Sequence, residues 1–487
     1  MARHLAATAL AALTLVSAVA QADIAAPGDS LVTTLRGRDE SARLGSSMTF
    51  IDIDGDERPE LLVGAPGLTS SGGEILAGAV YALTDGLPDS LPAPFLRSDE
   101  EHAFFGSSIA AGDLNEDGHD DLVVGAPGSS PDGRIAAGAA LLWFGPLDAG
   151  RPPDVVVEGL FAGDRLGVAL LIADADNDGA PDLLVAAPRG GSPDRIGFGT
   201  ASIIPSSRIA LATGNMRVDV LASTTIRGDA EGDALSALAS GDLDGDGRYE
   251  TIVGAPQADG DDYEYVDAGL VAIFTLADES PDTLRLSDAD AIVRGAVARG
   301  FLGSSIATGD LTGDGYDELL IGAPTAGTKD EGGAVSGTAY VFFGSEEGLL
   351  PVTNLIESGA PVFYSSRWEL FADAIAGEDV DGDLTDDLVV GAPLFPCEQD
   401  ETRCGGVVVY RGSLRSVIAA KAGSAERADL VVRGSLVGGG LGSALAVGDV
   451  DGDGRRELVI GAPDADSPGG ASNAGALHIV ASDALER

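Results

Sequence analysis

The chain is predicted to be all-β, a seven-bladed β-propeller of four-stranded antiparallel blades. Three observations predict this. First, an acidic comb recurs seven times, opening at Asp52, Asp113, Asp174, Asp242, Asp310, Asp379 and Asp449, at steps of 61 to 70 residues. So regular a period denotes one repeated unit that can bury its faces only against copies of itself. Second, each unit divides into four short apolar runs bounded by Gly, Pro, Asp and Ser, as in SSIAAGDL, DLVVGAP, GAALLWFG and DVVVEG of the second unit. Runs of that length with such punctuation are strands, and four of them make one blade. Third, the repeat is out of phase with the chain ends. The last third run, GALHIVA from Gly475, is followed by almost nothing, whereas LVTTLRG (Leu31 to Gly37) precedes the first comb and matches the fourth run. The N-terminal strand is therefore expected to complete the last blade and close the ring, which leaves no open sheet edge between first and last units.

In chain order, residues 1–22 read as a signal peptide. Arg3 and His4 precede the apolar stretch Leu5 to Val19, and Ala18-Val19-Ala20 or Ala20-Gln21-Ala22 supplies small residues for cleavage. The stretch is short for a membrane anchor. Residues 23–487 then form the propeller. Its third runs recur as GAVYALT, GTASIIP, GLVAIFT, GTAYVFF and GVVVYRG, and its fourth runs end at Gly228, Gly295 and Gly434. The two cysteines, Cys397 and Cys404, stand close together in CEQDETRC. In an exported protein that spacing favours a disulfide closing a local loop.

The joint between first and second strands carries the chemistry. Its sharpest copy offers Asp242, Asp244, Asp246, the carbonyl of Arg248, and Glu250, with Gly247 at the bend. Oxygens at alternate positions of a tight turn converge on one centre. Hard oxygens in that number suit Ca²⁺, with Mg²⁺ second because it demands stricter octahedral geometry. The second copy is Asp113, Asn115, Asp117, His119 (carbonyl) and Asp121; the third is Asp174, Asp176, Asp178, Ala180 and Asp182. The fifth, Asp310, Thr312, Asp314, Tyr316 and Glu318, replaces one carboxylate by a hydroxyl and is expected to bind more weakly. The seventh is Asp449, Asp451, Asp453, Arg455 and Glu457. Two copies lack the bend glycine. The first, Asp52, Asp54, Asp56, Arg58 and Glu60, has Glu57 there; the sixth, Asp379, Asp381, Asp383, Thr385 and Asp387, has Leu384. All their acids survive, so binding is expected in both, with a strained turn or a weaker site. The combs share the opening of an EF-hand loop, but a β-rich run such as Leu122-Val123-Val124 follows at once, which excludes the flanking helix. Up to seven Ca²⁺ ions are expected.

Charge narrows the partners. With 78 acidic residues against 29 Lys and Arg, the formal charge is −49. Seven divalent ions would neutralise under a third of it, so most of it is a solvated acidic surface. Such a chain is repelled by nucleic acid and by anionic membranes. No membrane insertion is expected, and the propeller is read as a monomer.

These motifs resemble the FG-GAP repeat, the unit of the seven-bladed propeller of integrin alpha subunits. Gly-Ala-Pro stands at Gly64, Gly125, Gly254, Gly322, Gly391 and Gly461, and as Ala186-Ala187-Pro188 in the third copy. Phe-Gly stands at Phe105-Gly106 and Leu-Gly at Leu44, Leu166, Leu302 and Leu441, with Ala234-Leu235 and Phe371-Ala372 as departures. The resemblance implies calcium in some combs and a binding or adhesion module for an extracellular protein or glycan ligand, secreted or held at the cell surface or in the periplasm. Segments 257–266 and 325–335 are candidate contact loops, with ordinary solvated loop as the simpler reading. Arg227-Gly228-Asp229 falls on a repeat position, since Arg-Gly recurs at Arg36, Arg294 and Arg433. Two other readings stand beside adhesion: a calcium-dependent hydrolase on a propeller scaffold, and a purely structural envelope protein. Against catalysis, only His102, His119 and His478 follow the leader, only Lys329 and Lys421 are lysines, and no nucleophile motif is visible. Catalytic residues are expected to be none.

Overall fold

The computed structural model describes residues 22–25 and 32–485, apart from 71, 85, 89, 192–196, 260–264, 278–279, 327–336, 349–351, 355–359, 366–369, 398–401 and 414. The expected leader, all but Ala22, lies outside the described residues, as do the centres of both candidate contact loops.

Seven sheets form, one per comb, and they are numbered here as blades 1 to 7. Blade 4 is typical: Ala237–Gly241, Glu250–Ala255, Leu270–Phe274 and Ala291–Arg294 pair in order as an antiparallel meander. The first strands of consecutive blades touch all the way round the axis. Met48–Ile51 of blade 1 meets both Ile109–Gly112 of blade 2 and Ala444–Gly448 of blade 7, so the ring is shut.

The core lies between blades. Each of the seven interfaces holds one cluster of buried apolar side chains. Strand alternation produces this directly. In Glu457–Ala462, Leu458 and Ile460 face Val389 and Val432 of blade 6, whereas Val459 faces Leu61 and Val63 of blade 1. Each such side chain buried contributes about 1.5–3 kcal/mol, and no blade can obtain that alone.

The glycine motifs serve the same packing. The amide of Gly45 donates to the carbonyl of Gly64 at 3.0 Å, and a Cβ on Gly64 would lie 2.1 Å from the carbonyl oxygen of Gly106 in the next blade. Gly125 stands in the same way against Gly167, at 2.1 Å. The motif is thus a backbone-to-backbone contact between blades that a side chain would push apart. Blade 4 corrects the sequence alignment. Ser236 donates to Gly254 there, so Leu235-Ser236 fills the Phe-Gly place rather than Ala234-Leu235. The facing residue in blade 3 is Ala186, where other blades have glycine.

Closure follows the expected route. Val32–Arg36 pairs antiparallel with Ala476–Val480, Val32 opposite Val480 and Arg36 opposite Ala476. Each blade is built on the expected four antiparallel strands, and some carry one more. Blades 2 to 6 each carry a fifth, parallel strand at the outer edge. It comes from the segment between third and fourth strands of the following blade: Gly214–Arg217 on blade 2, Thr283–Arg285 on blade 3, Val352–Asn354 on blade 4 and Gly423–Ser424 on blade 5. On blade 6 it is Ala22–Ala25, parallel to Leu430–Arg433. The N-terminal segment therefore ties two blades rather than one. Each fifth strand covers an edge that would otherwise offer unpaired amides and carbonyls.

The Cys397–Cys404 disulfide is present, with Cα atoms 5.1 Å apart, on the joint between Asp387–Ala392 and Gly406–Tyr410 of blade 6. Among the described residues no helix is long and apolar enough to cross a membrane.

Candidate metal centre

Every comb sits on the hairpin from first to second strand of its blade. Its turn is wound by the acids themselves. In blade 4, Asp242 Oδ2 accepts from the Gly247 amide at 3.0 Å, Asp244 Oδ1 from Asp246 at 3.1 Å, and Asp246 Oδ1 from Arg248 at 2.8 Å. Glu250 Oε2 reaches back to the Leu243 amide at 2.9 Å. Each carboxylate spends an oxygen on the backbone, and loop and oxygens are ordered together. Arg58, His119, Ala180, Tyr316, Thr385 and Arg455 hold the same place as Arg248, their amides donating to Asp56, Asp117, Asp178, Asp314, Asp383 and Asp453.

The turns require left-handed backbone twice. The bend residue has φ of +84° at Gly247, +67° at Glu57 and +72° at Leu384, so the strain expected at the two substituted copies is present. A side chain there costs about 1–2 kcal/mol. The other left-handed place, two residues earlier, was not foreseen. It is glycine at Gly55, Gly245, Gly313, Gly382 and Gly452, but Glu116 and Asn177 in blades 2 and 3.

In five copies three acids bring a ligand oxygen each to within 4.8 Å of one another: Asp52, Asp54 and Asp56; Asp174, Asp176 and Asp182; Asp242, Asp244 and Asp246; Asp379, Asp381 and Asp387; Asp449, Asp451 and Asp453. The second and fifth copies form no such trio among the described residues. They are the copies with Asn115 and Thr312 in place of a carboxylate, and Asn115 turns its amide to donate to Asp117.

The donor set fits a cation on independent grounds. Thr312 Oγ1, Glu318 Oε1, Asp242 Oδ1 and Asp381 Oδ1 are buried without a hydrogen-bond partner. Four such oxygens in three combs leave a shortfall that a positive ion between them would meet. The last acid of each comb points the same way. Burial, aided by the charges of the comb acids, pushes Asp121, Asp182, Glu250 and Asp387 up to about 7 and Glu318 up to about 8. Glu60 and Glu457 are raised by the same two causes.

The other singled-out residues lie elsewhere. His478 is buried against Thr34 of the closing strand, and burial lowers it to about 4. His102 and His119 are exposed. Arg227 ends the strand Thr224–Arg227, and the Asp229 amide donates to Asp233 at 2.7 Å, so Arg227-Gly228-Asp229 is a strand end and turn of blade 3.

Repeat, ring and comb define the class: a seven-bladed β-propeller with an acidic hairpin on every blade. The FG-GAP repeat model matches residues 105–139, 234–274, 302–342 and 441–480, within blades 2, 4, 5 and 7. Part of the chain is similar in sequence to integrin alpha subunits. Human integrin alpha-IIb is 38% identical over 163 residues, covering 31% of this chain and 15% of that protein. Integrin alpha-PS2 of Drosophila melanogaster is 31% identical over 233 residues, covering 47% and 15%. The rat phosphatidylinositol-glycan-specific phospholipase D is 28% identical over 383 residues, 74% of this chain and 43% of its own length. The chain spans about half the length of these phospholipase relatives.

Proposed function

We propose that this propeller is an exported calcium-binding module that docks an extracellular protein or glycan ligand, with the cation holding the hairpins that shape one face of the disc. The ligands would be the four side chains and the carbonyl of each comb, up to seven ions in all. The observation that carries this is the set of buried, unpartnered oxygens in combs 4, 5 and 6. When bound, calcium supplies charge balance and a rigid centre; the acids supply orientation, because each is already tied to loop amides. An adhesion or ligand-binding role accords with the relation to integrin alpha chains.

Catalysis is not part of this reading. The phospholipase relatives carry the activity of their name on a chain of which less than half to about half is matched here. In this chain the histidine best placed for rigid chemistry, His478, is held neutral inside a sheet. Export rests on the leader and on the disulfide, which suits an oxidising compartment. The test has two arms. Metal analysis of the purified chain dialysed against calcium should find about four to seven ions per molecule, the range set by the intact and the weakened combs. Capture of surface extracts with the immobilised chain should retain a partner in calcium and release it in chelator. A chain that takes up no calcium, or that holds its partner equally well in chelator, contradicts the proposal.

A further inference from the structure

The combs do not stand apart. An acid lying just before the last comb residue of one blade reaches into the comb of the blade before it. Asp317 Oδ2 accepts from the Asp242 amide at 2.8 Å, and the Asp317 amide donates back to the Asp242 carbonyl at 3.0 Å. Asp386 repeats this on Asp310, with 2.9 Å and 3.2 Å for the same two bonds. Asp120 accepts from the Asp52 amide at 3.2 Å. Asp242 and Asp310 are the first acids of their combs, and each anchors its own loop: Asp310 accepts from Asp314 at 3.0 Å and from Gly315 at 2.9 Å.

Two further features belong to the same contacts. The glycine before the first acid makes room for the visiting carboxylate. A Cβ on Gly241 would lie 2.9 Å from Asp317 Oδ2, and one on Gly309 would lie 2.9 Å from Asp386 Oδ2. The residue before the brace packs on the neighbouring comb: a Cβ on Gly245 would lie 2.7 Å from the Tyr316 ring. Blades 1 and 3 carry Pro59 and Pro181 at the brace position, which offer no carboxylate. The ring is therefore braced in some joints and not in others, and combs 4, 5 and 6 form one braced row.

We propose that Asp317 and Asp386 are positioning residues that couple cation binding between combs 4, 5 and 6, so that an occupied comb organises the first acid of the comb before it. This rests on the calcium reading above. Mechanistically, Asp379, Asp381 and Asp387 would hold the cation in comb 6, the turn from Thr385 to Asp387 would be ordered with them, and the Asp386 carboxylate on that turn holds the Asp310 backbone amide. Comb 5, with Thr312 for a carboxylate and buried oxygens left over, depends on this help most.

Tyr316 gives a local readout. In a Tyr249→Phe background it is the sole tyrosine within a comb; because its ring also lies against Gly245 of comb 4, Asp244→Asn and Asp246→Asn are added to silence comb 4, and Tb³⁺ luminescence excited through tyrosine then reports comb 5. Asp386→Ala should weaken Tb³⁺ there about tenfold, the scale of one charge-assisted hydrogen bond. Asp386→Asn, which keeps the acceptor, should stay within about twofold of the parent. Asp120→Ala removes the brace of a distant joint and should leave comb 5 unchanged, which separates coupling from general damage. Asp383→Asn in comb 6 should weaken comb 5 in the parent but not once Asp386 is alanine. Equal Tb³⁺ affinity in parent and Asp386→Ala overturns the brace, and so does Asp386→Asn as weak as Asp386→Ala. An equal effect of Asp383→Asn in both backgrounds overturns the coupling. No sensitised luminescence in the parent overturns the metal reading itself.

Discussion

Glu318→Gln should change the stability of the chain in opposite directions with and without calcium. Glu318 is fully buried, and burial with the charges of Asp314 and Asp310 lifts it from an ordinary 4.5 to about 8. With the folded value above the unfolded one, protonation favours folding. Its contribution is fully present below the unfolded value and is lost as pH rises through about 8. In chelator at neutral pH, folding must draw in a proton against a gap of between two and three pH units, which costs about 3 kcal/mol. Glutamine has the same shape and needs no proton. In EDTA the variant should therefore be more stable than the parent by about 3 kcal/mol at pH 7 and about 4 kcal/mol at pH 8, and towards pH 5 the two should converge. Thermal melts read this as roughly 1 °C per kcal/mol for a chain of this length. In saturating calcium the sign should reverse, because a ligand charge is lost. A variant that melts below the parent in EDTA at pH 8 would refute the argument, since Glu318 would then be a well-compensated ion rather than a charge waiting for a cation.

Three more predictions come from the same structure. Calcium binding should release protons near neutrality, because Asp121, Asp182, Glu250 and Asp387 stand at about 7 in its absence; titration calorimetry in buffers of different ionisation enthalpy should show the release between pH 6 and 8, roughly the span around those values, and affinity should fall on acidification. Leu35→Ala in the closing strand removes a buried side chain from the blade 1 and blade 7 interface and should cost about 2–5 kcal/mol by denaturant unfolding, whereas an open array with a loose end would lose almost nothing. Leu384→Gly should raise stability by about 1 kcal/mol, because Leu384 is left-handed and 92% exposed, with no packing to lose; a destabilised variant in chelator melts would show that the turn is not strained.

Much of this was legible in the chain because repetition multiplies weak signals. One acidic hairpin is ambiguous, but seven in phase with Gly-Ala-Pro assign hairpin, strand order and closure together. Leu31 to Gly37 could be placed in the last blade because it shares the fourth-run pattern. What escaped notice is what depends on the neighbouring blade. Gly214–Arg217 and Thr283–Arg285 have no period of their own, since as outer parallel edges they bury little; their partner is chosen by where the previous blade ends. Ser236 was misaligned for a similar reason, its role being defined by a bond to Gly254. Asp317 and Asp386 look like ordinary acids beside a ligand. Only the sheet-to-sheet geometry turns their carboxylates toward the preceding comb. The available signal was an acid immediately before the last comb residue, in three of seven copies.

The central claim is that calcium in the combs holds the propeller together, and the most direct measurement is a pair of thermal melts on the intact mature chain, one in millimolar calcium and one in EDTA. Ligand binding confined to the folded state raises stability by about 4 kcal/mol per site at a thousandfold excess over the dissociation constant. Several filled combs should thus separate the two midpoints by many degrees, with calcium restored to the EDTA sample moving the curve back. Coincident midpoints would show that the buried oxygens are satisfied without an ion and would contradict the account.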